Sequence, residues 1–471
     1  MLLYTIYSIV YIALNFISSN HVIYNMNFIS IVLCLSILTH VDATNTYNAQ
    51  AYQSIGDTFT FPETSYPEIE AKPNVGVTFS GGGSRSYTAT IGTMSAFHQL
   101  DYVKYVKYIA SSSGGSWGTS VYSYFQHDNI SDTVMLGPIV MPAELNNDDL
   151  QLMDDDCVRG YTNGSYIPDA TGVAYIDWVI AVQEIYFDKA GIGRHTPFSY
   201  NNASVQDIIN RNPSLVDTDF ITLRGYNENN NTDGEVNLDE VDPRPFPIIQ
   251  CTMVGPLAGM PWKPDNRNYS LMEWTPLSAG VAYSHEVYYT PESDHGDENP
   301  NTTMQTIGGF IEPFAFNNTG APSVGLPSGV SEGFLTVPET GIQCDIALAS
   351  GTSSWAPGEY IASSDASDIE ALAGSFQYWS PSASNPLSEL TTMAAGDGGG
   401  NSNTDLVSLL QRKVGTIIAF VNTNTPLQNS TNWNPATENL TTQIDFTVPA
   451  WFGQIAQNLS SESIDSFDLV N

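Results

Sequence analysis

Between Asn74 and Phe125 the chain runs twice through one local plan: a β-prone run, a turn of glycine and serine, then an amphipathic helix. The first unit opens with Val75 to Phe79, breaks at Ser80-Gly81-Gly82-Gly83, and continues with Tyr87, Ile91, Met94, Phe97 and Leu100 at helical spacing. In the second, Tyr105 to Ile109 is the β-prone run and Ser111 to Ser116 the small polar turn. Trp117, Val121 and Phe125 then fall four apart on one helical face. Two consecutive strand-turn-helix units predict parallel strands joined by crossover helices, and hence an α/β layered fold.

Such a turn lifts a serine hydroxyl above the sheet and aims the first N–H groups of the helix at negative charge developing beside it. Strain in the turn demands small residues two positions to either side of the serine. Ser113 has Ser111 and Gly115 there, and Ser112 has Ala110 and Gly114, so this spacing leaves both serines open. Gly81 to Gly83 offer bare backbone amides, which an oxyanion hole requires. A phosphate-cradling loop would end in Gly-Lys-Ser/Thr, and Ser84-Arg85-Ser86 does not. Taken singly, either turn reads as an ordinary loop; the pair in tandem points to acyl transfer.

Ser80-Gly81-Gly82-Gly83-Ser84-Arg85 and Ser113-Gly114-Gly115-Ser116-Trp117 resemble the paired motifs SGGGxRA and GLSGGSW of the lysophospholipase and phospholipase B family. That family shares its catalytic domain with cytosolic phospholipase A2 and is related to the patatin-like hydrolases. The interval of 28 residues from Arg85 to Ser113 is similar to the family's and selects Ser113. Pro245-Phe246-Pro247-Ile248, Glu273-Trp274-Thr275-Pro276, Cys344-Asp345 with Gly351-Thr352-Ser353-Ser354, and Asp397-Gly398-Gly399 resemble later family segments in order. Ser111-Ser112 stand where the family has Gly-Leu, and Ser86 where it has alanine.

The resemblance implies a three-layer α/β/α patatin-like hydrolase fold with cap insertions, and a Ser-Asp dyad that cleaves acyl esters of phospholipids or lysophospholipids. Ser113 is then the nucleophile and Asp397 the base. Gly82, Gly83 and Gly114 hold the oxyanion, and Arg85 binds the lipid phosphate. The dyad implies no metal and no organic cofactor. The expected partner is a phospholipid or lysophospholipid at a membrane or micelle surface, with no stable protein partner. A serine esterase on neutral lipids or glycolipids, and a catalytically silent lipid-binding protein, are the other classes in view. Isolated Asp-Gly is ordinarily a turn. A Ser-His-Asp arrangement using His285 or His295 is the alternative to the dyad, and His98 reads as a packed or surface residue of the first helix.

Met1 to Ser18 and Met26 to Thr39 are apolar stretches too short for secure membrane spans. The second leads to Val41-Asp42-Ala43, a cleavage-site pattern, so residues 1–43 are expected to be a secretory signal, with a membrane-anchored hairpin as the alternative. A secreted or lumenal glycoprotein follows, and sequons at Asn129, Asn163, Asn202, Asn230, Asn268, Asn301, Asn317, Asn429, Asn439 and Asn458 suit it. Beyond residue 43 the cysteines are Cys157, Cys251 and Cys344, which permit one disulfide and leave one thiol. A net charge of −36 argues against nucleic acid and against docking on anionic lipid. No repeat or long linker divides the 471 residues, so 44–471 is read as one catalytic domain. Its insertion, around 126–390, is read as a cap, with Asn227 to Asp242 and Thr290 to Thr303 as surface loops. Before Asp397 the chain is read as helical, and after it Leu406, Leu409 and Leu410 precede a strand from Thr416 to Val421.

Overall fold

The computed structural model describes residues 46–127, 130–137, 175–225, 243–262, 269–291, 301–358, 374–423 and 448. In chain order its strands are β1 (Thr46–Tyr52), β2 (Val75–Phe79), β3 (Tyr108–Ser112), β4 (Phe198–Ser199), β5 (Ile221–Thr222), β6 (Phe246–Pro256), β7 (Ser270–Trp274), β8 (Ala279–Tyr289), β9 (Thr303–Ile311), β10 (Glu332–Pro338), β11 (Gly374–Tyr378), β12 (Thr391–Gly396) and β13 (Thr416–Phe420). The helices that position the site are α1 (Ser84–Gln99), α2 (Gly114–Tyr124), α3 (Tyr175–Val182), α4 (Ile346–Ser353) and α5 (Leu406–Gln411).

All but β4 and β5 join one mixed sheet, ordered β10-β1-β9-β8-β7-β6-β3-β2-β13, with β12 and β11 attached to β6. β13, β2, β3 and β6 are parallel, and from β6 outward through β7, β8, β9, β1 and β10 the pairing is antiparallel. Alternation along the parallel strands sends side chains to two covered faces. Val77, Phe79 and Ile109 pack with Met94 and Phe97 of α1 and Tyr122 of α2. On the other face a β-carbon at Gly76 would stand 2.6 Å from Leu409 of α5, and Arg412 lies over the Tyr108 ring. Helices on both faces of the sheet make the fold α/β/α.

β6 is the strand that joins the two halves. Its first residues pair with β3 as far as Ser112 opposite Gln250; on the same edge β12 takes over, antiparallel, with Gly396 opposite Thr252. The C-terminal ends of β3 and β12 therefore converge on one short stretch of β6. The next residue of each strand, Ser113 and Asp397, must meet there although 284 positions separate them in the chain.

Several expectations change. Leu100 is 58% exposed because α1 ends at Gln99 and Leu100 caps it, outside the buried stripe of Met94 and Phe97. The run Tyr105 to Ile109 is displaced: Val103–Tyr105 is a single 3-10 turn, and β3 extends through Ser111 and Ser112 because the ladders to β2 and β6 carry it that far. The approach to Asp397 is strand β12, not a helix, since its backbone pairs with both β11 and β6. Residues 246–378 supply β6 to β11 to the main sheet, so much of the stretch read as a cap is built into the central layer. Cys251 and Cys344 are both buried. Cys157, residues 1–45, Asn227 to Asp242 and most of Thr290 to Thr303 lie outside the described residues. Among the described residues no helix is long and apolar enough to cross a membrane.

Candidate active site

Ser113 caps the N-terminus of α2 with φ 51° and ψ −132°, a backbone conformation that side chains rarely adopt. Holding it costs of order 1–3 kcal/mol, so the surroundings must over-determine the turn. They do. The Ser113 amide donates to the carbonyl of Ser353 at 3.1 Å and to its hydroxyl at 2.9 Å. The Ser113 carbonyl accepts from the Ser116 amide at 2.9 Å and the Ser116 hydroxyl at 2.6 Å. Every residue of α2 is buried, Trp117 stacks on Tyr186 at 4.7 Å, and the Trp117 ring N–H donates to Ser354. A helix packed this completely cannot rotate to relieve the turn.

The Ser113 hydroxyl donates to Asp397 Oδ2 at 2.8 Å. Asp397 Oδ1 accepts from the Gly399 amide at 2.7 Å. The backbone of this turn is tied on every side: the Asp397 amide donates to the Trp355 carbonyl and the Gly398 amide to the Ser353 carbonyl, at 3.1 and 2.9 Å. Thr252 and Gln250 of β6 donate to the carbonyls of Asp397 and Gly398, both at 2.7 Å. Gly398 is required here, because a β-carbon would come within 2.4 Å of the Ser112 hydroxyl and 2.6 Å of the Gln250 carbonyl. Burial pushes the Asp397 carboxyl up to about 6; the bonds from Gly399 and Ser113 favour its ionised form and offset part of that rise.

The glycine turn lies directly against the serine turn. A β-carbon on Gly81 would stand 2.7 Å from Ser113 Cβ, and one on Gly114 would stand 2.2 Å from the Gly83 carbonyl oxygen. Gly82 and Gly83 have φ of 140° and 63°, which only glycine adopts readily. The Ser113 amide is committed to Ser353 through both bonds. Arg85 is exposed on the first turn of α1, two residues beyond Gly83.

Ser113, Asp397, Gly82, Gly83 and Gly114 are thus brought together at the ends of β2, β3 and β12. Ser112 is excluded from the turn: it is a buried strand residue opposite Gln250. The described histidines are engaged elsewhere. His98 pairs with the Tyr122 hydroxyl at 2.9 Å, His127 with the Lys189 carbonyl at 3.0 Å and His285 with the Ser270 hydroxyl at 3.0 Å, while His195 is exposed. His295 lies outside the described residues. Sequence reasoning singled out the Gly351-Thr352-Ser353-Ser354 segment without a role. In the structure Ser353 contacts both turns; motif resemblance alone had singled the segment out.

No family model matches the sequence, and no curated protein matches it. Among solved structures, human GIVD cytosolic phospholipase A2 is similar at 14% identity over 73% of this chain and 42% of that one, with a TM-score of 0.34. The same human enzyme in complex with methyl gamma-linolenyl fluorophosphonate gives 14% identity over 53% of this chain and 26% of that one, with a TM-score of 0.23. Its complex with that inhibitor and terbium chloride gives 13% identity, 52% and 26% coverage, and a TM-score of 0.21. The chain spans less than half the length of each of these structures.

Proposed function

We propose that the protein is a serine hydrolase that cleaves the acyl esters of phospholipids or lysophospholipids through a Ser113–Asp397 dyad. The observation that carries this reading is the 2.8 Å hydrogen bond from a strained, helix-capping Ser113 to a carboxylate whose other oxygen is held by backbone. In this reading Ser113 Oγ attacks the ester carbonyl as Asp397 takes its proton. The carbonyl oxygen becomes an oxyanion facing the amides of Gly82, Gly83 and Gly114. The carbon–oxygen bond to the glycerol breaks, and the alkoxide leaves with the proton from Asp397. Water then attacks the acyl-enzyme, giving its proton to Asp397, which returns it to Ser113 as the fatty acid departs.

A carboxyl raised to about 6 suits this cycle. It is a stronger base than an ordinary aspartate and still about nine-tenths ionised at pH 7. Arg85 is assigned to the substrate phosphate: its exposed position beside the glycine turn and its forked donors match a phosphodiester. Choice of phospholipid as substrate rests on Arg85 and on the motif resemblance; the hydrolase chemistry rests on the dyad.

The test is labelling with a fluorophosphonate probe, followed by turnover of lysophosphatidylcholine and of a short neutral ester. The wild type should be labelled at Ser113 and should hydrolyse the lysophospholipid, whereas Ser113→Ala should do neither. A folded protein that takes no label and turns over no ester is a silent binding protein, and one that cleaves only the neutral ester is a different esterase.

A further inference from the structure

Ser353 stands at the point where the two reacting turns are joined. It is the last residue of α4, fully buried, and both of its polar groups are committed to the site. The carbonyl oxygen accepts from the Ser113 amide at 3.1 Å and from the Gly398 amide at 2.9 Å, so a single atom holds the residue of the hydroxyl and the residue after the carboxylate. The hydroxyl accepts from the Ser113 amide at 2.9 Å and donates to the Gln250 carbonyl. Gln250 closes the circuit, since its side chain donates to the Gly398 carbonyl.

This arrangement answers a problem of fold design. Ser113 and Asp397 follow different strands, and nothing in the ladder of either strand reaches past Ser112 or Gly396 to set the distance between them. A strained serine turn also stores energy that would be released by sliding away from the carboxylate. α4 is rigid enough to prevent it: its other end is capped by Asp345, which accepts from the Leu348 amide, and its body packs against α2, α3 and β6.

We propose that Ser353 is the positioning residue that sets the separation of the Ser113 hydroxyl from the Asp397 carboxylate. The proposal rests on the dyad reading. Its side chain touches neither substrate nor the reacting atoms; it acts through the Ser113 amide. That same bond removes the Ser113 amide from competition for the oxyanion and leaves the task to Gly114 and the glycine turn. A misplacement of about 1 Å between reacting groups can cost on the order of 10² in rate, so the hydroxyl of Ser353 has leverage out of proportion to its size.

The experiment compares Ser353→Ala, Ser353→Thr and Ser350→Ala in the full chain. Ser350 lies one turn earlier on α4 and bonds the Ser120 hydroxyl at 2.8 Å, away from both turns, so it reports what losing a buried hydroxyl does to stability alone. Ser353→Ala should lower kcat by about tenfold to a hundredfold with KM little changed. It should slow fluorophosphonate labelling by a similar factor, while far-UV circular dichroism stays native. Ser353→Thr, which keeps the hydroxyl, should recover most of kcat if its extra methyl leaves the fold intact. Ser350→Ala should lower Tm without lowering kcat. A folded Ser353→Ala protein with wild-type kcat and labelling rate, beside an inactive Ser113→Ala protein, overturns the positioning role while leaving the dyad standing. Full activity in Ser113→Ala overturns the dyad itself.

Discussion

Gly114 and Gly83 belong to different strand-helix turns, yet a β-carbon on Gly114 would stand 2.2 Å from the Gly83 carbonyl oxygen. The two turns touch through backbone, with no room for a side chain between them. Gly114→Ala should therefore push the turns apart and lower kcat by about 10² or more, the scale of losing one oxyanion donor. Gly92 is the contrasting position: it is exposed on α1 with nothing near its missing β-carbon. Gly92→Ala should leave turnover unchanged and raise stability by about 0.4–1 kcal/mol in a denaturant titration.

Asp397 links activity and stability with opposite signs. Its carboxyl is raised from 3.8 to about 6, chiefly by burial, so folding favours the protonated form. The contribution of Asp397 to stability is greatest below pH 4 and is lost as pH rises through 6, because the native state binds the proton more tightly. Asp397→Asn should accordingly be more stable than wild type at pH 7, by about 2–3 kcal/mol, and lose most of that gain at pH 4. The acidic limb of kcat/KM should have its midpoint near pH 6, since the base works only when ionised. An aspartate at its ordinary pKa of about 3.9 would instead carry activity well below pH 6.

Arg412 is buried between two carboxylates, Glu63 at 2.6 Å and Glu273 at 2.9 Å, with its guanidinium 4.0 Å from the Phe61 ring centroid. Arg412→Met removes the cation and leaves two acids facing each other in the core. Urea unfolding should show a loss of about 3–5 kcal/mol, the usual cost of breaking a buried pair. A loss below about 1 kcal/mol would place this group in solvent-like surroundings.

Arg85→Lys separates charge from geometry. Lysine keeps the charge but loses the planar fork, so kcat/KM on lysophosphatidylcholine should fall by about tenfold or more while turnover of a short neutral ester changes little. Equal losses on both substrates would make Arg85 a structural residue of the first turn of α1.

Local chemistry made the two strand-turn-helix units legible. Of the stripe expected on α1, Met94 and Phe97 are buried, Tyr87 and Ile91 half-buried and Leu100 exposed, while Trp117, Val121 and Phe125 are all buried. β13 came out at Thr416–Phe420, close to the expected strand. The register of β3 was less legible, because Ser111 and Ser112 look like turn residues alone and become strand only when paired with β2 and β6. The same holds for Thr391–Gly396, whose small residues read as helix until β6 and β11 flank them. The strand order of the antiparallel half was not legible, since it depends on long-range pairing such as β1 with β10. Spacing left Ser112 and Ser113 open, and the positive φ of Ser113 separates them. The role of Ser353 had no signature that could be read without knowing which turns its helix end would meet.

A parallel turnover assay on Asp397→Asn and His285→Gln decides which side chain receives the Ser113 proton. Both substitutions are close in shape to the native side chain, and both proteins are first shown to be folded by circular dichroism. With lysophosphatidylcholine at pH 7.5, Asp397→Asn should retain less than about one part in 10³ of wild-type kcat, because the amide cannot accept the proton. His285→Gln should stay within about twofold of wild type, its ring being engaged with Ser270. An active Asp397→Asn enzyme beside a folded but inactive His285→Gln would contradict the dyad and make the protein a Ser-His-Asp hydrolase.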